Sequence, residues 1–137
     1  MRTAIDSNVF SAIWSAEPSA GKLVQQLGEA KVQGALIISP FVFAELHAYP
    51  GATEAFIQSF LLATGVFVDF RVEERVWTET ARRFALYAAR RRQSSKTSAK
   101  RLLADFLIGS HALVQADRLL TLDPHRYSQD FPEVQLI

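Results

Sequence analysis

No cysteine occurs in the 137 residues of this chain, which excludes both a disulfide framework and a thiolate metal centre. Nor does any apolar run approach the ~20 residues that a membrane span requires. Stretches such as Gly34 to Ile38 and Phe56 to Ala63 break well before that length, so no bilayer crossing is expected. The first residues carry a single arginine and turn polar at Asp6 to Asn8, so the apolar core of a secretory signal is missing and a cytoplasmic protein is expected. Neither an internal repeat nor a linker divides the sequence, which predicts a single domain over 1–137. Acid is missing from one stretch: Arg82 to Arg101 holds eight of the 15 basic residues and no Asp or Glu, although the net charge is only +1. Such a block reads either as a solvated face or as a contact for a phosphate backbone.

What is present is a chain that is 49% hydrophobic, enough for a real core and too much for intrinsic disorder. Residues 2 to 6 read as a short strand, followed by a helix carrying Val9, Phe10, Ile13 and Trp14. A second helix starts near Pro18, with Leu23, Val24 and Leu27 on one face. "GALIIS" reads as a buried strand, and Ser39 with Pro40 as the cap and first turn of a helix that ends at Pro50 and Gly51. Residues 53 to 63 read as helix, "GVFVDF" as a third strand, and Val72 to about Arg92 as a long amphipathic helix. After the polar break Gln93 to Ala99 come a helix from about Lys100 to Gln115, the strand "RLLTL", a turn at Asp123 and Pro124, and a last strand "VQLI". Strands separated by helices predict a three-layer α/β domain with a mostly parallel sheet, because parallel neighbours need crossover connections. In open sheets of this kind, ligands bind outside the carboxyl ends of the strands, where strand order reverses.

Four acids stand out against that frame: Asp6, Glu45, Asp105 and Asp123. Asp6 ends the first strand, and Asp123 follows the fourth. Each reads equally as a helix N-cap, Asp123 before a proline at the first turn. Glu45 has Phe41, Val42, Ala48 and Tyr49 at helical spacing, and Asp105 has Leu102 and Ile108, so both acids lie beside apolar surface. A carboxylate withdrawn from water costs several kcal/mol unless it is neutralised, paired or bound to a cation. Clustered carboxylate oxygens suit hard divalent ions, Mg²⁺ or Mn²⁺, and such an ion can activate water and stabilise a phosphoryl transition state. Phosphodiester hydrolysis is the chemistry that this set predicts.

The sequence resembles a PIN-domain ribonuclease, and more narrowly the VapC-type toxins of bacterial toxin–antitoxin pairs. The likeness runs over essentially the whole chain, in "IDSNVF", "SPFVFAEL", "ADFLIGSHAL", and "LLTLD" followed by "HRYSQDFPEVQLI". It implies a three-layer α/β/α fold, and it implies that Asp6, Glu45, Asp105 and Asp123 bind Mg²⁺ or Mn²⁺ in a cleft at the sheet edge. Asn8 matches the residue that organises the site two positions after the first acid, and Thr121 the hydroxyl residue two before the last. Leu122 departs from the polar residue that relatives often carry there, which puts a substrate contact from that position in doubt. His111 reads as a satisfied helix histidine and Asp117 as a turn residue.

The resemblance implies an endoribonuclease that leaves 5′-phosphate and 3′-hydroxyl ends, acts as a homodimer, and is inhibited by a cognate antitoxin protein. Arg90, Arg91, Arg92, Lys96, Lys100 and Arg101 are the candidates for RNA backbone contact. The competing reading is a non-catalytic α/β binding or regulatory module with a degenerate acidic site. A receiver-type domain is disfavoured: no second acid lies near Asp6, and the last lysine is Lys100.

Overall fold

A computed structural model describes residues 1–94 and 100–137. Five strands, β1 (Arg2–Ile5), β2 (Ala35–Ile38), β3 (Val66–Val68), β4 (Arg118–Leu120) and β5 (Gln135–Leu136), form one sheet in the order β3-β2-β1-β4-β5. Every pairing is parallel, with Ala4 opposite Ile37 on one side and opposite Leu119 on the other. Helices α1 (Ser7–Trp14), α2 (Ala20–Gln33), α3 (Pro40–Leu46), α4 (Glu54–Thr64), α5 (Glu74–Gln93), α6 (Leu103–Gln115) and α7 (Pro124–Ser128) flank the sheet. This is the expected α/β architecture. Among the described residues no helix is long and apolar enough to cross a membrane.

Strand β1 lies at the centre and is buried from Thr3 to Ile5. Helix α1 packs on α2 and α3, while α6 packs on α5 and α7 and against β1 and β4. Two aromatic groups fill the space between layers. Trp14 is ringed by Phe10, Tyr49, Phe56 and Phe60, and Phe106 by Phe84, Tyr87 and Phe131. The chain runs outward from β1 through β2 to β3, then returns to place β4 on the other flank of β1. Strand order therefore reverses between β1 and β4, and the crevice beyond their carboxyl ends is where such a sheet binds ligands.

Several boundaries differ from the sequence expectation: α3 stops at Leu46 rather than at Pro50, β4 at Leu120 rather than at Leu122, and two more border that crevice. Helix α6 starts at Leu103 rather than near Lys100, because the Asp105 carboxylate accepts the Leu102 backbone N–H at 3.1 Å and fixes the first turn there. The stretch read as a turn at Asp123 and Pro124 opens a short helix, α7, with Pro124 in its first turn and the Asp123 side chain accepting the Arg126 N–H.

The end of the chain is held against α6 by a close approach at Gly109. A Cβ placed there would lie 2.5 Å from the ring of Phe131, a residue 1% exposed. The ring is packed on Phe106 and Tyr127, which leaves it little room to give way. Gly109→Ala should therefore destabilise the fold by about 1–3 kcal/mol, read as a lowered midpoint in urea denaturation with an unchanged slope. An unchanged midpoint would contradict this packing.

Candidate active site

Asp6 follows β1 directly, and its backbone N–H continues the ladder to Leu120 O at 3.0 Å. The residue is 1% exposed. Its Oδ1 accepts the Ser7 N–H at 2.8 Å, which caps α1. Its Oδ2 accepts two hydroxyls, Thr121 Oγ1 at 2.8 Å and Tyr127 OH at 2.8 Å. Burial pushes the Asp6 carboxyl above its ordinary value, and these donors together with Arg126 pull it partly back. The N-cap reading of Asp6 thus holds, and the same side chain joins α1 to the ends of β4 and α7.

Thr121 is the node that joins the strand ends. Its hydroxyl donates to Asp6 and accepts from Asn8 Nδ2 at 3.3 Å and from the Asp123 N–H at 3.1 Å, which uses its full capacity. Asn8 Oδ1 accepts the Leu122 N–H at 3.2 Å, so α1 grips the loop after β4 from both ends of one amide. That grip sets the position of Asp123 relative to Asp6. Leu122 offers only an exposed apolar side chain between them.

Glu45 and Asp105 approach from the helices. Ser39 Oγ accepts the Val42 N–H at 3.1 Å to start α3, and Glu45 sits in its last turn. Glu45 is exposed, not set in an apolar face as its neighbours implied, because α3 stops at Leu46 and neither Ala48 nor Tyr49 continues the helix. Partial desolvation nevertheless raises its carboxyl, opposed by a hydrogen bond from the Ser7 side chain and reinforced by the charges of Asp6 and Asp105. Asp105, in the first turn of α6, faces the guanidinium of Arg126, with Nη1 3.4 Å from its Oδ1.

Arg126 links the acids. Its Nε lies 3.3 Å from Asp123 Oδ2. Partial burial works against its charge, but Asp105, Tyr127, Asp123 and Asp6 outweigh this and hold the guanidinium above its ordinary value. A cavity of ≈ 370 Å³ opens here, lined by Glu45, Asp105 and Asp123 together with Lys100, Arg101, Leu102, His125 and Arg126. The four acids thus occupy one electrostatic neighbourhood at the switch point. Among the described residues, however, no three Asp, Glu or His side chains are spaced to hold an ion together. The donor set is all oxygen and suits a hard divalent ion. In this side-chain arrangement the guanidinium of Arg126 pairs with Asp105 and Asp123, and Lys100 and Arg101 line the same cavity.

The basic block divides. Arg90 is paired with Asp130, and Arg83 with Glu79 and Glu133 while its guanidinium stacks 4.9 Å from the Phe131 ring, so these side chains brace α5 against the chain end. Arg91 and Arg92 lie in the last turn of α5. Lys100 and Arg101 instead line the acidic cleft, and Arg101 Nη2 donates to His125 O at 3.0 Å. Lys96 lies outside the described residues. His111 is buried away from the cleft, its Nε2 3.0 Å from Asp69 Oδ2, and Asp117 accepts the Arg2 N–H at the start of β1. Nothing in the sequence singles out Tyr127 or Arg126, and Ser7, a possible helix cap by sequence, is the first residue of α1 behind the cap Asp6. Only the spacing "DPHRY" carried a signal: with Asp123 as cap, it puts Arg126 and Tyr127 on the first turns of a helix beside that acid.

The model of the PIN domain family matches residues 3–131. Two solved structures share the fold. VapBC2 from Rickettsia felis, bound to a DNA fragment from their promoter, aligns at 16% identity and TM-score 0.69 over 100% of this chain and 98% of that one. VapBC-1 from nontypeable Haemophilus influenzae aligns at 20% identity and TM-score 0.67 over 100% of this chain and 97% of that one. No curated protein matches significantly.

Removing the Tyr127 hydroxyl tests the geometry around Asp6. Tyr127→Phe should cost about 1–3 kcal/mol at neutral pH, since a buried carboxylate loses a donor. The hydroxyl favours the ionised acid, so the variant's Asp6 rises further. Its stability deficit is full above the variant's raised Asp6 value, shrinks as pH falls between that value and the lower wild-type one, and shrinks no further below it. Denaturation at several pH values reads this, and a deficit independent of pH would contradict the assignment.

Proposed function

This chain belongs to the PIN-domain family, and from that premise we propose that it is a metal-dependent endoribonuclease of the VapC type, the toxin of a toxin–antitoxin pair. The family is generally one of nucleases that use divalent metal ions. The observation that carries the reading is that Glu45, Asp105 and Asp123 line one cavity at the switch point, two of them on Arg126, with Asp6 at the adjoining end of the central strand.

A Mg²⁺ or Mn²⁺ ion held by these carboxylates would supply charge neutralisation and a more acidic bound water. The chain's own groups do the positioning. Thr121 and Tyr127 take both open positions at Asp6 Oδ2, which leaves Oδ1, to which the Ser7 N–H donates, with a lone pair that an ion would take. Asn8 fixes the loop that carries Asp123. Lys100 and Arg101, on the same cavity wall as three of the acids, would take the phosphates flanking the cleaved bond. Single-stranded or looped RNA, with accessible bases, is the expected substrate, and the products would be 5′-phosphate and 3′-hydroxyl ends. The two VapBC structures support an antitoxin partner. A homodimer and a cytoplasmic location complete the proposal.

The competing reading is a binding module that keeps the fold without catalysis. One observation favours it: Arg126 already neutralises acids that are not spaced to share an ion. Activity and metal response separate the two. Cleavage of an RNA pool should require Mg²⁺ or Mn²⁺, cease with chelator, and fall at least ~100-fold in Asp6→Asn. Equal activity in both proteins, or activity in chelator, would remove the nuclease reading.

The cleft-lining cations make a second forecast. Arg101→Ala should weaken binding of single-stranded RNA to the Asp6→Asn background and flatten its dependence on salt by about 0.7 in logarithmic slope. Arg90→Ala, which removes the partner of Asp130, should leave that slope unchanged. Equal slopes for all three proteins would place the RNA elsewhere.

A further inference from the structure

We propose that Arg126 is the internal counter-cation of the acidic cleft, and that a divalent ion binds there by displacing it. This rests on the metal-dependent reading of the site. The guanidinium stands between two carboxylates from different elements, Asp105 on α6 and Asp123 at the head of α7, and acts electrostatically on Asp6 and Glu45 as well. Its backbone cannot drift away. The Arg126 N–H is held by the Asp123 side chain, and the next residue, Tyr127, is fully buried and anchored on Asp6.

The side chain itself is free to leave. It is 37% exposed, and its two carboxylate contacts, at 3.3 and 3.4 Å, are longer than the ~2.7–2.9 Å of a strong charge-assisted bond. Arg83, by contrast, holds Glu133 through two bonds of 2.9 and 3.0 Å with only 12% of its side chain exposed. Arg83 is thus held in place, whereas Arg126 is loosely placed among acids. A guanidinium keeps its charge at any working pH, so deprotonation cannot clear it from the cleft. A second cation can. A divalent ion carries twice the charge into the same carboxylates, and the absence of any ion-ready trio of acids among the described residues follows when their oxygens are spread around a planar guanidinium.

Mn²⁺ titrated calorimetrically into wild type, Arg126→Gln and Arg126→Lys at fixed ionic strength tests the displacement. Arg126→Gln should bind Mn²⁺ more tightly, on the order of fivefold, because no resident cation competes. Its metal-free melting temperature should be lower than that of wild type, and saturating Mn²⁺ should close the gap. Arg126→Lys, which keeps the charge, should return the affinity toward wild type. If Arg126→Gln folds only when Mn²⁺ is present, the inference is likewise supported. Equal or weaker Mn²⁺ binding by Arg126→Gln, with wild type binding normally, overturns the counter-cation role alone. Failure of all three proteins to bind Mn²⁺ overturns the metal reading of the site and this inference with it.

Discussion

The carboxylate of Asp6 is withdrawn from water at the end of the central strand, and the groups that compensate it come from the far end of the chain. Thr121 and Tyr127, 115 and 121 residues away, place both hydroxyls on one of its oxygens. Leaving such a charge unpaired would cost several kcal/mol, comparable to a large part of a domain's net stability. The junction of β1, β4 and α7 is therefore tied together by the same atoms that form the site. The close approach of Phe131 to Gly109 then fixes α6, with Asp105, against that junction. Packing and chemistry meet in a few residues beyond the sheet.

The sequence discloses the order of elements because each strand is a short apolar run and each helix has a periodic face or a cap, as in "GALIIS" followed by Ser39 and Pro40. Parallel pairing follows from the intervening helices, and the crevice from the parallel sheet. Asp6 and Asp123 are legible because one directly follows a strand and the other closes the apolar run that holds one. What periodicity misplaces is Glu45, whose apolar neighbours at +3 and +4 fall beyond the end of α3. Helix α7 is hidden by its brevity, since five residues carry no periodic signal. Tyr127 and Arg126 escape for the same reason. Their roles depend on partners more than 20 residues away in sequence, Asp6 and Asp105.

Charge shows the same limit. Eight basic residues in a row without an acid look like one patch, yet the fold sends them to different tasks. Glu79, Asp130 and Glu133 absorb the arginines on one face of α5. The extended entry to α6 turns Lys100 and Arg101 toward the acids instead. A one-dimensional count cannot separate these groups, because the acids that neutralise the first set come from the chain's last ten residues and from one turn earlier on the same helix. The cleft that results sets cations beside carboxylates, an arrangement suited to gripping a polyanion next to a metal centre.

The account stands on one claim, that carboxylates from four separate segments share a single divalent cation when it is supplied. Anomalous diffraction from a crystal soaked in Mn²⁺ measures this directly. A peak within coordination distance of Asp6 Oδ1 and at least one of Glu45, Asp105 and Asp123 is the predicted result. A Mn²⁺ peak bound only elsewhere on the surface, or no peak in a crystal whose cleft is open to solvent, would contradict it.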